Sequence, residues 1–141
     1  MSDTNEVFKN QGTIGGSFRS AFKGVGAVLV SERNFQIEMV LGSITIVVMF
    51  LVSPSLIEWA LVLICIMVVL SLELLNTALE NLLDYIDPKF NRAIGTMKDM
   101  TAGGVLVAAI GSALVGSLII IPKLVNIFVG LSWLYHLIIY N

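Results

Sequence analysis

Charge is what this sequence is shortest of. Only 13% of its 141 residues are Asp, Glu, Lys or Arg, against about 25% in an ordinary soluble domain. With 57% hydrophobic residues and a mean hydropathy of +0.92, that scarcity excludes a water-soluble globule and reads as an integral membrane protein. A single cysteine, Cys65, excludes an internal disulfide; in the middle of an apolar run it is a small lipid- or core-facing residue. The one histidine, His136, sits in a terminal apolar stretch far from the acidic residues and reads as structural. No GxxxxGK[ST] loop is present, and Gly24-Val25-Gly26 alone is too weak to count as a nucleotide fingerprint. Eight basic residues spread along the chain make no polybasic patch, so nothing points to nucleic acid. Residues 1–16 are polar, with no basic segment leading into an apolar one; they read as a disordered N-terminus, and the spans themselves are expected to direct insertion.

Against that background the stretch 71–84, SLELLNTALENLLD, stands out. It ends the strongest hydrophobic run, whose 14 residues from Trp59 to Leu72 carry no charge. At about 100° per residue, Glu73, Asn76, Glu80 and Asp84 fall at roughly 0°, 300°, 340° and 20°, one stripe under about 90° wide. A helix that has left the membrane would also show water a polar face. Such faces normally mix in lysine, and this one has none. Ionisable groups at a bilayer boundary are costly, and they mark ion, proton or substrate sites.

The remaining chain arranges itself around this row. Residues 17–31 read as an amphipathic surface helix, with Phe18, Phe22, Val25 and Leu29 at helical spacing and Arg19 and Lys23 on the flanks; an ordinary packing helix fits the same pattern. A charged elbow, Ser31-Glu32-Arg33-Asn34, leads into a first span over about 35–52. The turn Ser53-Pro54-Ser55 breaks it, and a second span covers about 56–84. A polar connection with Asp87-Pro88 as breaker leads to a third span over about 98–121, rich in glycine and alanine as closely approaching membrane helices are. Pro122 and Lys123 are expected to end it. Residues 124–141 form an apolar extension, whose stretch from Leu124 to Tyr140 is about 17 residues long, that either makes a fourth span or lies in the interface. The expected fold is thus an all-α integral membrane protein: a surface helix, three transmembrane helices and an apolar C-terminal helix.

In a three-span chain Lys9, Arg19, Lys23, Arg33, Lys89, Arg92 and Lys98 fall on one side and only Lys123 opposite, which puts the N-terminus in the cytoplasm. Glu32, the Glu73–Asp84 row, Lys98 and Asp99 then meet at the cytoplasmic face. Carboxylates without His or Cys partners favour hard cations, Mg²⁺ above all, which binds through one or two carboxylates plus phosphates. A lysine can meet a phosphate as a point charge, an asparagine can fix an oxygen, and a remaining carboxylate can take a proton from a hydroxyl. Together these suit phosphoryl transfer.

The pattern E-L-L-N-T-A-L-E-x-x-x-D, followed after a short loop by M-K-D-M, resembles the prokaryotic diacylglycerol kinase family of small membrane kinases. The resemblance extends from about Phe18 to Lys123. Glu32-Arg33-Asn34-Phe35, Ile57-Glu58-Trp59 and Ile121-Pro122-Lys123-Leu124 resemble its Gram-positive branch, whose members often phosphorylate undecaprenol rather than diacylglycerol. The resemblance implies a kinase unit over 17–123 in a bacterial cell membrane, with the active site cytoplasmic. It implies that Glu73 is the general base for the lipid hydroxyl, and that Glu32 and Glu80 bind the Mg²⁺ that bridges the phosphates of ATP. Asn76 would hold the reacting groups in register and Lys98 would meet the phosphates. Asp84 and Asp99 would support nucleotide or lysine, and Glu38 would border the lipid entrance. It further implies a homotrimer with sites shared between subunits. The extension after Lys123 goes beyond the family's three spans, and the 87–97 connection gives no assignable nucleotide contacts.

Two other classes compete. A small multidrug-type transporter has a similar length and four spans, but would place one acid deep in a span rather than a cluster at one face. A non-catalytic membrane scaffold accounts for the small-residue packing and not for the acid row.

Overall fold

A computed structural model describes residues 13–87 and 91–140 of the chain. The described residues form four helices and no strand: α1 (Ile14–Ser31), α2 (Arg33–Leu51), α3 (Leu56–Ile86) and α4 (Arg92–Tyr140). α2, α3 and α4 as far as Trp133 are each long and apolar enough to cross a membrane. The described part of α1 buries no residue, and Phe18 and Phe22 lie exposed along it.

Capping explains where the helices begin. Thr13 accepts the Gly16 amide at 3.2 Å, so α1 starts at Ile14, three residues ahead of the expected boundary at 17. Residues 14–16 are therefore helical, while 1–12 lie outside the described residues. One extended residue, Glu32, separates α1 from α2. Its amide still closes onto the Val28 carbonyl at 2.8 Å. The Gln36 side chain donates back to the carbonyls of Leu29 (3.0 Å) and Val30 (3.3 Å), which α1 leaves unpaired at its end. The elbow is thus a hydrogen-bonded corner that fixes where the Glu32 side chain stands.

The turn at 52–55 is as tight as the sequence implies. Ser53 adopts a positive φ of 48°, uncommon for a residue with a side chain. Ser55 and Glu58 then form a reciprocal capping box: the Ser55 amide donates to Glu58 Oε2 at 2.6 Å, and the Glu58 amide to Ser55 Oγ at 3.3 Å.

α3 packs most extensively against α4, and α2 against α3. Gly42 marks a close approach of α2 to α3, since a Cβ there would stand 3.1 Å from Ile66 Cγ2. Met49, Val52 and Val62 form a small buried cluster near the turn, with Val48, Trp59, Ile66, Ile119 and Ile120 packed around it. Phe50 meets Trp59 edge-on, with ring centroids 4.9 Å apart. Most of the apolar surface of the spans is otherwise exposed, as expected of helices that face lipid or further protein.

The largest departure from expectation is α4. It starts at Arg92, six residues before 98, and Asn91 caps it by accepting the Ala93 amide at 3.0 Å. It then runs through Pro122 to Tyr140. Proline removes one helix hydrogen bond and crowds the preceding turn, a cost of ~3 kcal/mol in water. Here the helix is held on both sides of the ring. Ile119 and Ile120 pack on the buried cluster, and Lys123 pairs with Glu58 at 3.1 Å. Apolar surroundings also make opening the neighbouring hydrogen bonds costly, so prolines persist inside membrane helices. The expected helix end at Pro122 and Lys123 is therefore absent, and residues 124–140 continue the third span without a break.

Candidate active site

The acid row of α3 turns inward as its periodicity requires. Glu73 is only 4% exposed, and Asn76 and Thr77 beside it are also buried. Thr77 belongs to the same stripe, about 40° from Glu73 at 100° per residue, and only its modest polarity hides it in the sequence. One turn along, Glu80 is half-buried, and its Oε1 accepts from Asn76 Nδ2 at 3.2 Å. The other amide atom, Asn76 Oδ1, is buried without a hydrogen-bond partner. An orphan acceptor of this kind costs stability unless something else fills it.

The elbow and the first turns of α2 complete the cluster. Glu32 and Glu80 both lie within electrostatic range of Glu73, and the Asn34 side chain reaches the Glu73 carboxylate as a donor. Glu38, one and a half turns into α2, is also near enough to interact with Glu73. Its Oε2 is a second buried oxygen without a partner. Asn34 is the contact sequence reasoning missed, because its meeting with Glu73 depends on how the corner at Glu32 folds α2 onto α3.

Further toward the end of α3, Asp84 holds Lys98 of α4 at 2.5 Å, the lysine half-buried and the aspartate exposed. This pair ties the start of α4 to the acid row and places the ammonium one turn beyond Glu80. Asp99 is exposed on the next residue. Glu32, Glu38, Glu73, Asn76 and Glu80 are thus gathered at one end of the bundle, with the Asp84–Lys98 pair beyond them. Lys89 of the intervening connection lies outside the described residues, and His136 lies far along α4 from this end.

Among the described residues no three His, Cys, Asp or Glu side chains stand close enough to make a metal cage. Glu32 and Glu80 remain as two oxygen donors flanking Glu73. Such a set suits a hard cation that keeps water and draws its other ligands from phosphates. Below Glu38 a half-open cavity of about 450 Å³ runs between α2, α3 and α4. The arrangement combines a buried carboxylate, further acids, an asparagine and a held lysine, at the level where an apolar interior meets a polar surface. It can accept a proton from an alcohol and position phosphate beside it. A transporter with one acid deep in a span would show neither the cluster nor the lysine.

Comparison with known proteins agrees with this chemistry. Residues 19–120 match the family described as prokaryotic diacylglycerol kinase. The chain is 40% identical over 123 residues to an undecaprenol kinase of Bacillus subtilis, covering 87% of this chain and 94% of that one. It is 35% identical over 114 residues to a diacylglycerol kinase of Synechocystis, covering 80% of this chain and 65% of the other. A diacylglycerol kinase of Escherichia coli K12 is 30% identical over 90 residues, 64% of this chain and 74% of that one. The acid-lined end of the bundle and these matches lead to one conclusion: the chain belongs to the prokaryotic diacylglycerol kinase family of membrane lipid kinases.

Proposed function

We propose that the chain transfers the γ-phosphate of ATP to the hydroxyl of a membrane lipid alcohol, undecaprenol foremost, with diacylglycerol as the alternative acceptor. The observation that carries this reading is the buried Glu73, 4% exposed, ringed by Glu32, Glu38, Asn76 and Glu80 at the boundary of the spans. The more extensive match to an undecaprenol kinase favours the polyprenol over the glyceride.

In this reading Glu73 takes the proton of the lipid hydroxyl as its oxygen bonds to the γ-phosphorus and the bond to the β-phosphate oxygen breaks, releasing ADP. Asn34 orients the Glu73 carboxylate, and Asn76 spans from Glu80 toward the reacting groups. Glu32 and Glu80 would hold Mg²⁺, which when bound draws charge from the phosphate oxygens. Lys98, fixed by Asp84, meets the phosphates from the polar side, with Asp99 beside it. Glu38 borders the entry of the lipid. Residues 17–123 make up the kinase unit. The site lies on the cytoplasmic face of a bacterial cell membrane, in accord with the bias of basic residues to that side. The uncovered glycines of α4, Gly103, Gly104 and Gly111, with nothing within 4 Å of their virtual Cβ positions, support close packing of further copies in a homotrimer.

The test is transfer of labelled phosphate from ATP and Mg²⁺ to undecaprenol and to diacylglycerol in matched mixed micelles. The reading expects both the reaction and a preference for undecaprenol. Preference for diacylglycerol would select the alternative acceptor. Transfer to neither by folded protein would return the chain to the scaffold and transporter readings.

A further inference from the structure

Glu32 is the single extended residue between α1 and α2, with φ −104° and ψ 114°. A residue in that place has no repeating hydrogen-bond pattern around it, so specific contacts decide its orientation. Its amide donates to the Val28 carbonyl at 2.8 Å, and its carbonyl accepts the Gln36 amide at 3.2 Å. The Gln36 side chain then reaches back past it to α1, where Nε2 donates to the carbonyls of Leu29 at 3.0 Å and Val30 at 3.3 Å. Both partners are acceptors, so these bonds need a donor at that position and shape alone does not replace it. Gln36 thus grips Glu32 with its backbone and the end of α1 with its side chain, closing the corner like a clamp.

The carboxylate is held as well. Ser31 Oγ donates to Glu32 Oε1 at 3.2 Å. On the facing helix Asn76 Nδ2 donates to Glu80 Oε1, also at 3.2 Å. Each of the two carboxylates that flank Glu73 therefore has one oxygen engaged by an uncharged donor, which leaves its second oxygen for a cation. A carboxylate whose rotation is already restricted loses less freedom on binding. Donors behind metal-ligating groups typically carry about 10–100-fold in metal affinity. Ser31 and Gln36 are themselves exposed. Water can meet the Leu29 and Val30 carbonyls when the Gln36 side chain is shortened of its donor, so the helices survive the change.

We infer that Ser31 and Gln36 are positioning residues for the cation site: Gln36 clamps the corner on both sides of Glu32, Ser31 orients its carboxylate, and together they set the affinity for the divalent cation without touching it. The inference rests on the reading of Glu32 as a cation ligand. The clamp also makes the end of α1 part of the site, since the Glu32 carboxylate keeps its place opposite Glu73 and Glu80 only while α1 and α2 meet at this corner.

The experiment uses the full chain in mixed micelles. Mn²⁺ stands in for Mg²⁺, and its binding together with a non-hydrolysable ATP analogue is followed by water-proton relaxation, which needs no turnover. Gln36→Met keeps the length of the side chain and removes its donor. Ser31→Ala removes the hydroxyl, and Ser31→Thr restores one. The expected result, per mole of folded protein, is a Mn²⁺ affinity about tenfold weaker for Gln36→Met, a smaller loss for Ser31→Ala and wild-type affinity for Ser31→Thr. The Mg²⁺ concentration for half-maximal phosphate transfer should rise in step, with KM for undecaprenol unchanged. Glu32→Gln, measured alongside, separates two kinds of failure. If it weakens Mn²⁺ binding while Gln36→Met and Ser31→Ala bind as the wild type does, the cation reading of Glu32 stands and the positioning inference is overturned. If Glu32→Gln itself binds Mn²⁺ as the wild type does, the cation reading fails and the inference falls with it.

Discussion

Glu73 shows how one residue gathers a site. Its position on α3 puts it on the inner stripe, the corner at Glu32 brings Asn34 against it, and the first turns of α2 bring Glu38. A carboxylate taken from water is costly, on the order of several kcal/mol, and persists where neighbours or function require it. Glu80 differs, because it is half-buried and already bonded to Asn76. Replacing Glu80 by Gln keeps a hydrogen-bond acceptor for Asn76 but removes a charge. The expected outcome is a steep rise in the Mg²⁺ concentration for half-maximal transfer; an unchanged Mg²⁺ titration would remove Glu80 from the metal site. Asp84→Asn should act through Lys98, raising KM for ATP more than it lowers kcat, and an unaltered KM for ATP would show that the pair does not position the lysine. The row Glu73, Asn76, Glu80 and Asp84 was legible because all four lie on one helix, where period arithmetic suffices. Asn34 and the partnerless oxygen of Glu38 were not, because their meaning depends on the contact between two helices.

At the scale of elements, the chain is governed by its corners. Glu32 and the Ser53–Ser55 turn appear in the sequence as a charged elbow and a proline turn, and both separate helices in the structure. Pro122 was misread for a physical reason. The rule that proline ends a helix presumes that water is ready to take up the freed groups, whereas here Ile119, Ile120 and the Lys123–Glu58 pair hold the helix on either side. The family match ends at residue 120, just short of that proline. Removing residues 124–141 should therefore leave phosphate transfer nearly unchanged, measured per mole of folded protein; a large loss would place the extension in the kinase unit. Gly42 is the opposite case, a small residue the fold requires. Gly42→Val forces a larger side chain toward Ile66, where even Cβ would lie at 3.1 Å. Overpacking of this kind costs about 1–3 kcal/mol, to be seen as a lower unfolding midpoint in detergent.

Over the whole molecule, the asymmetry of the two ends is the governing feature. One end carries the acids, Asn34, Asn76 and Lys98, and the other carries a small apolar cluster closed by Glu58 and Lys123. Between them lie three helices with most of their apolar surface uncovered, a form that needs a membrane around it. The three-span fold and the polar end were legible from hydropathy and the count of reversals. The cavity was not, because the Val, Leu, Ile and Gly residues of its wall are those of any span, and only their packing leaves a space between the helices. The most direct measurement is transfer of labelled phosphate from ATP and Mg²⁺ to undecaprenol by wild type and Glu73→Gln, with folding and oligomer size checked on the same samples. A positioned base contributes on the order of 10²–10⁴. Robust transfer by the wild type and a fall of at least about a hundredfold in the variant is the predicted result. Equal transfer by both proteins would contradict Glu73 as the base, and no transfer by either would contradict the kinase.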